Sequence, residues 1–191
     1  MILLRSRVVG TMKRYGNIKY KLSKNALIMF VGINPHPGSY RRKIPFSNNK
    51  MFWYLLSKAH LIDEPVDYLK DDKKLIQMYE SKFAQEYRLN FINLVDRPTS
   101  DVSKLRKGEE RPGVARVLNS IRAYKPKIIC FIGKTAYERF SGSKHIDYGY
   151  KQPIYGIRTY VCRFPIRGPA IDRIKELKVL IKAAYAADAK T

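Results

Sequence analysis

The chain has 191 residues, the size of one domain and enough to bury a hydrophobic core without disulfides. Its 38 Lys and Arg against 16 Asp and Glu give a formal net charge of +22, which predicts an acidic partner, most often nucleic acid. An anionic membrane surface would attract the same charge, and a lysine-rich, heat-adapted surface would explain it without any partner. We predict one domain over residues 1–191, in which residues 1–25 form a basic extension with room for a hairpin.

Cysteine usage and apolar segments limit the class of protein further. Cys130 and Cys162 lie far apart in apolar runs, which predicts buried thiols in a reducing compartment. No apolar segment reaches the roughly 18 residues that a membrane span requires. The cysteines and the three histidines show no metal-binding spacing. We therefore expect an intracellular protein, cytoplasmic or nuclear, with no metal, no cofactor and no membrane contact.

Short apolar runs rich in β-branched residues alternate with segments of helical periodicity along the chain. The apolar runs predict four strands, at residues 26–34, 89–95, 127–133 and 158–164. The periodic segments predict five helices, at residues 50–61, 72–87, 113–124, 134–140 and 170–188. Alternating strands and helices build parallel sheets. The expected fold is therefore α/β, with three α/β/α layers around a central, mostly parallel four-stranded sheet.

The first candidate site follows the first predicted strand, in the segment FVGINPHPGSYRRKIPF at residues 30–46. Ligand sites in parallel sheets form beyond the carboxyl ends of the strands. Asn34 lies at such an end, and Pro35 biases it away from helical geometry. Its amide could hold a water molecule through the carbonyl oxygen. The alternative is an Asx-turn, in which the amide only satisfies neighbouring backbone groups.

The rest of this segment combines charge, hydroxyl groups and an aromatic ring. Its hydroxyl and basic side chains could contact phosphates: Ser39, Tyr40, Arg41, Arg42 and Lys43. The ring of Phe46 offers a face of the kind on which a base stacks. In the alternative interpretation, Phe46 covers the core and the basic triplet is merely solvated. The combination favours a nucleic-acid site.

Four sequence blocks carry a resemblance to a known family. They are GINP at residues 32–35, with a Phe twelve residues after its Asn, FW at 52–53, NLVDRPT at 93–99 and IGKTAYERF at 132–140. In the same order, and over roughly residues 27–180, they resemble the mismatch-specific uracil-DNA glycosylase and thymine-DNA glycosylase family. One tetrapeptide would be weak support, but four blocks in register are specific. The resemblance implies a uracil-DNA glycosylase-like fold.

The resemblance also implies roles for individual residues. In that family the Asn of GINP positions the water that attacks the sugar C1′ atom, so Asn34 is expected to be catalytic. Phe46 is expected to stack on the extruded base, Asn93 to help read that base, and Ser39 to lie near the backbone phosphates. Ile33, inside the GINP block, joins Phe46 and Asn93 in the expected base-binding set.

Two segments depart from the family pattern. His36 and Pro37 intervene where the family usually has Gly directly after GINP, and His36 is expected to be an exposed loop residue or a DNA contact. The last family motif is replaced by FPIRGPAIDR at residues 164–173, which lacks the usual small hydroxyl residues. Arg167 could fill the gap left by a flipped nucleotide, hold the opposite guanine, or contact a phosphate, with Gly168 beside it in the DNA-binding set.

The expected function is a monofunctional DNA glycosylase that excises uracil, with thymine as a further substrate, opposite guanine. Its partner would be double-stranded DNA with a mismatched or damaged pyrimidine, bound by a monomer. We expect Asp96 and Arg97 to form structural pairs. One alternative is a non-catalytic nucleic-acid-binding protein on the same scaffold. Another is an enzyme of free nucleosides or nucleotides, although the chain lacks the P-loop and G-x-G-x-x-G motifs.

Overall fold

A computed structural model of the chain describes residues 18–189. The strands are β1 (Ile28–Gly32), β2 (Leu89–Asn93), β3 (Ile128–Ile132), β4 (Gly149–Ile154) and β5 (Ile157–Cys162). The α-helices are α1 (Pro37–Arg42), α2 (Met51–Lys58), α3 (Val66–Lys70), α4 (Asp72–Met78), α5 (Arg111–Tyr124), α6 (Lys134–Ser141) and α7 (Ala170–Asp188). A π-helical turn (Tyr79–Phe83) follows α4, and a 3₁₀ turn (Val102–Lys104) precedes α5.

The strands form one sheet in the order β2-β1-β3-β5-β4, with β4 antiparallel to β5 and the other pairs parallel. The predicted mixed α/β fold is therefore confirmed, but the sheet has five strands where four were expected. The missed strand is β4, which lies at the edge, is largely exposed and contains Pro153. An edge strand needs no continuous apolar run, so the pattern that predicted the others fails there.

The hydrophobic core lies on both faces of the sheet. Alternate residues of β1 point to opposite sides, so that Phe30 packs with Trp53 of α2 and Leu180 of α7 on one face. On the other face Val31 packs with Val117 of α5. All five residues of β1, β2 and β3 are buried, which explains why these strands appear in the sequence as unbroken apolar runs.

Two predicted elements differ from the structure. The helix predicted over residues 72–87 begins as expected, since Asp71 caps α4, but it becomes a π-helical turn after Met78. This turn brings Tyr79 and Phe83 against Trp53, with ring centroids 5.8 and 5.1 Å away. The predicted N-terminal hairpin falls mostly outside the described residues, and residues 18–24 form no strand. Within residues 18–189, no helix is long and apolar enough to cross a membrane.

A charged clasp holds the amino ends of the central strands to the end of α7. Asp188 accepts hydrogen bonds from Arg88, just before β2, at 2.6 and 2.8 Å, and pairs with Lys127, just before β3, at 3.2 Å. Hydrogen bonds from Arg88 hold the pKa of Asp188 well below its usual range. The last helix is thereby fixed to the edge of the sheet opposite to the carboxyl ends of the strands.

Candidate active site

The segments after β1 and β2 run side by side beyond the carboxyl ends of these strands. The Leu94 amide donates to the Gly32 carbonyl at 3.0 Å, and the Val95 amide donates to the Ile33 carbonyl at 2.7 Å. Farther out, the Thr99 amide donates to the Pro35 carbonyl at 3.1 Å. The parallel ladder thus continues past the last strand residues, and it holds the GINP and NLVDRPT blocks against each other.

Asn34 lies half-buried where β1 has ended, and its side chain is held by the neighbouring block. Its Nδ2 donates to Thr99 Oγ1 at 2.8 Å, with the Pro35 and Arg97 carbonyls at 3.2 and 3.4 Å. The Thr99 hydroxyl in turn donates its one proton to the Asp101 carbonyl at 2.7 Å. Because that proton is committed, Thr99 can only accept from Asn34, so the atom that faces it must be Nδ2.

This arrangement fixes which end of the Asn34 amide is available. The hydrogen bonds described for Asn34 all run through Nδ2, whereas an Asx-turn uses the side-chain oxygen. The strongest of them spans 65 residues, to Thr99. Within residues 18–189 the carbonyl oxygen Oδ1 therefore has no hydrogen-bond partner, and it is available as an acceptor at the edge of the sheet.

The segment after Asn34 is a short helix, not a loop. His36 caps α1 by accepting from the Gly38 amide at 3.1 Å, and Pro37 occupies the first turn. Ser39 and Tyr40 are buried by this helix, and Ser39 Oγ accepts from the Asn48 amide at 2.9 Å. The hydroxyl of Ser39 therefore holds the segment together instead of lying on the exposed surface.

The three basic residues of α1 and its C-cap differ in their surroundings. Arg42 is engaged, since its Nε contacts Asp72 Oδ2 at 2.8 Å and its guanidinium also reaches the carbonyls of Gly38 and Ser47. Arg41 and Lys43 are exposed. Of the triplet, these two present charge to the solvent in front of the site.

Phe46 is half-buried within a group of aromatic rings. Its centroid lies 5.2 Å from Phe52, 5.3 Å from Phe91 and 5.8 Å from Phe164. The backbone of Phe46 has φ +50°, which is unfavourable for a residue other than glycine. Trp53 Nε1 donates to the carbonyl of the preceding Pro45 at 2.9 Å and helps to hold the backbone in this conformation. The Phe46 ring is thus held in a fixed position near the carboxyl ends of the central strands.

Asn93, the last residue of β2, is 2% exposed, and its Oδ1 has no hydrogen-bond partner among the described residues. This oxygen lies against Gly32, its neighbour across the β1–β2 pair. A methyl group at Gly32 would lie 2.4 Å from Asn93 Oδ1 and 3.1 Å from the rings of both Phe46 and Phe91. Because residue 32 has no side chain, a buried acceptor and two aromatic rings can pack directly against the strand at this point.

Comparison with protein families supports what these residues suggest. The family model of the Uracil DNA glycosylase superfamily matches residues 20–180. The chain belongs to the uracil-DNA glycosylase superfamily. Membership supports a DNA glycosylase in general, a hydrolase of base excision repair that acts on DNA. The match covers β1 to the middle of α7, and so includes every element that carries the candidate site.

Within this superfamily fold, the two acid–base pairs of the NLVDRPT block have structural roles, as predicted. Asp96 pairs with Arg116, whose guanidinium also donates to the Asn93 carbonyl at 2.7 Å. Arg97 binds both carboxylate oxygens of Glu109, at 2.6 and 2.7 Å. Hydrogen bonds from Arg97 lower the pKa of Glu109 to about 2. Both pairs fix the segment that carries Thr99.

The segment that departs from the family pattern, at residues 164–173, begins as a tight turn after β5. The Arg167 amide donates to the Phe164 carbonyl at 3.0 Å, and Gly168 has φ +72°. The buried guanidinium of Arg173 donates to the carbonyls of Arg167 and Gly168. The side chain of Arg167 is exposed, as is its neighbour Ile166.

The structure brings Ile33, Asn34, Phe46 and Asn93 to one edge of the sheet and leaves Arg41, Lys43 and Arg167 exposed. Sequence reasoning missed three further contributors. Thr99 lies inside a matched block, but its contact with Asn34 spans 65 residues. Phe164, whose ring lies 5.8 Å from that of Phe46, belongs to the divergent motif. Tyr20, whose hydroxyl donates to Asp96 at 3.3 Å, belongs to the predicted N-terminal extension. A single sequence carries no signal for such long-range pairs.

Proposed function

We propose that the protein is a monofunctional DNA glycosylase that hydrolyses the N-glycosidic bond of uracil, and of thymine, mispaired with guanine. The observation that carries this proposal is the Asn34 amide, whose Nδ2 is held by Thr99, so that Oδ1 has no hydrogen-bond partner among the described residues and is available at the carboxyl edge of the sheet. Membership of the superfamily supports the general activity, and the four sequence blocks support the mismatch-specific type.

The chemistry suits an uncharged amide. Glycosidic cleavage passes through an oxocarbenium-like sugar, which is so electrophilic that the attacking water needs positioning more than deprotonation. Asn34 Oδ1 would accept a hydrogen bond from that water and point its lone pair at C1′. Because Asn34 carries no charge and forms no covalent bond, the product is an abasic site in an uncut strand.

Base choice would depend on Asn93. Uracil and thymine carry an N–H at ring position 3, whereas cytosine has a lone pair there. The buried Oδ1 of Asn93 has no partner among the described residues, so it can accept from the N–H of uracil or thymine. Opposite cytosine it would face another acceptor, and no hydrogen bond could form. An unmade buried hydrogen bond costs about 1–3 kcal/mol, which favours the deaminated base over its parent.

Access to the base requires extrusion of the nucleotide. Turning a base out of the duplex costs a few kcal/mol, and less for a mismatched pair than for a Watson–Crick pair. Phe46 would stack on the extruded pyrimidine, while Arg41, Lys43 and Arg167 would contact phosphates or fill the vacated position. The net charge of +22 supports tight, salt-sensitive duplex binding.

A cleavage assay tests the proposal directly. End-labelled duplexes with G:U, G:T, A:U or G:C at one position are incubated with the protein and then treated with alkali, which cuts at abasic sites. We expect alkali-dependent cleavage of G:U, weaker cleavage of G:T and none of G:C. The Asn34→Ala variant should be about 1000-fold slower because the water is no longer positioned, with duplex affinity nearly unchanged.

Two results would contradict the proposal. One is the absence of excision from every uracil-containing duplex. The other is excision that Asn34→Ala leaves unaltered, since the water would then be held by another group. Tight duplex binding without product would instead support the non-catalytic alternative.

A further inference from the structure

Three partly exposed side chains meet beside the candidate site. The ring of Tyr148, which is 40% exposed, has Lys134 Nζ at 4.8 Å and the Arg163 guanidinium carbon at 5.3 Å from its centroid. The Lys134 and Arg163 side chains are 38% and 43% exposed. We call these three residues the Tyr148 cluster. Two cations repel each other, and the electron-rich face of an aromatic ring attracts both, so the ring keeps these two charges close together.

The sheet topology brings the Tyr148 cluster to the edge that carries the candidate site. Lys134 begins α6 directly after β3, and Arg163 directly follows β5. Because β4 is antiparallel to β5, its first residue, Gly149, pairs with Val161 near the carboxyl end of β5. Tyr148 immediately precedes Gly149 and therefore lies at the same end of the sheet.

The cluster is continuous with the aromatic rings of the candidate site. Phe164 directly follows Arg163, and its ring lies 5.8 Å from that of Phe46, the expected stacking ring. One strand of a duplex advances about 3.4 Å per nucleotide. A strand whose extruded base reaches Phe46 would therefore pass the Tyr148 cluster within about five nucleotides of that base.

The two cations are held with different firmness. Glu176, which is 8% exposed, accepts from the Arg163 amide at 3.0 Å and lies 3.5 Å from its guanidinium. The Tyr160 hydroxyl donates to the same carboxylate at 3.0 Å, which fixes it in turn. Lys134 has a looser contact, at 3.7 Å, with Asp147, whose side chain is 91% exposed. A phosphate could replace Asp147 at Lys134, and the guanidinium of Arg163 has further N–H donors to offer.

A DNA backbone is the occupant that fits this combination of charge and position. Phosphate oxygens accept hydrogen bonds from Lys and Arg side chains, and they provide most of the contacts in protein–DNA interfaces. The cations lie at the edge where a duplex must approach if a base is to reach Phe46. Since the ring and Glu176 already restrict their motion, less conformational entropy is lost when a strand binds.

We propose that the Tyr148 cluster binds the backbone of the DNA strand that flanks the extruded nucleotide: Lys134 and Arg163 contact phosphates, and the Tyr148 ring is a positioning residue that holds the two cations in place before DNA arrives. The inference rests on the proposed function for its partner, DNA. Its test measures binding and does not require excision.

Removal of charge tests the phosphate contacts. The probe is a duplex with 2′-fluoroarabino-uridine opposite guanine, which resists cleavage, and its affinity is measured over a salt series. The Lys134→Ala/Arg163→Ala variant should reduce the slope of log affinity against log salt by about 2, as expected for two lost phosphate contacts. Lys24→Ala/Lys125→Ala removes the same charge at exposed positions before β1 and β3, at the opposite end of the sheet. In that control the slope should change by less than about 0.5.

Substitution of the ring tests its positioning role. Tyr148→Leu keeps both charges, so the salt slope should stay the same. Its affinity for the duplex should fall about 2- to 5-fold, because the two cations must then be ordered during binding. Tyr148→Phe retains the aromatic face and should bind as the wild type does.

Shortened duplexes locate the contact along the DNA. Two further probes end directly after the mismatch, one on the 5′ side of the uridine and the other on its 3′ side. Because the cluster lies to one side of Phe46, removal of one flank should abolish the difference between wild type and Lys134→Ala/Arg163→Ala. Removal of the other flank should leave that difference intact.

Three results would overturn the inference. They are an equal change of slope in the two double variants, wild-type affinity in Tyr148→Leu, and a charge effect that survives removal of either flank. Should Arg163→Ala fold poorly after losing its contact with Glu176, Lys134→Ala alone should still reduce the slope by about 1. Excision of uracil from a cleavable G:U duplex by the wild type shows separately whether the proposed function holds.

Discussion

The segments that follow β2 and β5 lie at the same edge of the sheet but are held by different parts of the chain. After β2, the segment is held by contacts between side chains: Thr99 accepts a hydrogen bond from Asn34, and Asp96 pairs with Arg116. After β5, the Arg173 guanidinium donates to backbone carbonyls of the turn, and the side chain of Arg167 is exposed to solvent. A contact between side chains fixes the direction of particular atoms, which catalysis requires. A contact with backbone carbonyls fixes only the path of the turn.

This contrast predicts different kinds of damage from substitutions in the two segments. Changes near β1 and β2 should lower turnover or alter base choice while duplex affinity stays. Changes in the turn after β5 should weaken duplex affinity while the rate of the chemical step stays. The following substitutions test that division, in order of decreasing expected effect.

Gly32→Ala should have the largest effect, because the new methyl group would lie 2.4 Å from Asn93 Oδ1 and force that side chain to move. A displacement of about 1 Å at a reacting group costs roughly 100-fold in rate, and we expect kcat/KM on G:U to fall by about that factor. The measurement is single-turnover excision beside duplex affinity. Full activity in Gly32→Ala would mean that excision does not depend on the position of the Asn93 side chain.

Thr99→Val should lower kcat by about 10- to 100-fold with KM little changed, since the Asn34 amide loses its 2.8 Å contact and can turn its oxygen away. Valine preserves the shape of the side chain, so packing is not at issue. Thr135→Val, at an exposed position of α6, serves as the control. A rise in KM without a fall in kcat would show that Thr99 serves binding and not the orientation of Asn34.

Arg167→Ala should weaken duplex affinity by a fewfold and reduce the slope of log affinity against log salt by about 1, as expected for the loss of one phosphate contact. The single-turnover rate at saturating protein should stay the same. A salt titration of duplex affinity provides the measurement. An unchanged slope together with a slower rate would place Arg167 at the vacated base position instead of on a phosphate.

Glu109→Gln should have the smallest effect, on stability. The folded-state pKa of Glu109, about 2, lies below the ordinary value, so its ionised form stabilises the fold above about pH 4.3, and this contribution is lost as the pH falls toward 2. Because Arg97 is 38% exposed, we expect less than about 1 kcal/mol at pH 7. Urea unfolding at pH 7 and pH 2 measures it, with the exposed Glu86→Gln as control; a difference that persists at pH 2 would contradict the ion-pair account.

How much of this could be predicted from sequence depends on the range of the interactions involved. The central strands β1, β2 and β3 are buried on both faces, so their apolar runs identify them, whereas β4 at the edge carries no such run. Helix α1 was expected to be a loop because Pro35, Pro37 and Gly38 lie close together at its start, and its six residues are too few to show helical periodicity. Local patterns thus predict what is buried continuously and fail at edges and single turns.

The candidate site divides in the same way. Asn34 and Asn93 could be assigned to one edge because both end parallel strands, and this follows from topology alone. That Ser39 and Tyr40 are buried, and that Arg42 is engaged with Asp72, depends on how α1 packs, which periodicity over six residues cannot indicate. Thr99 contacts Asn34 across 65 residues of sequence and Tyr20 contacts Asp96 across 76, and only coordinates bring these pairs together.

The clasp of Asp188 with Arg88 and Lys127 has a practical consequence for engineering the chain. It lies at the end of the sheet opposite to the candidate site, and it holds the last residue of α7. Affinity tags, fluorophores or partner proteins fused after this point would therefore project away from a docked duplex. Deletion of the terminus from Asp188 onward would loosen the last helix while leaving the catalytic constellation chemically intact.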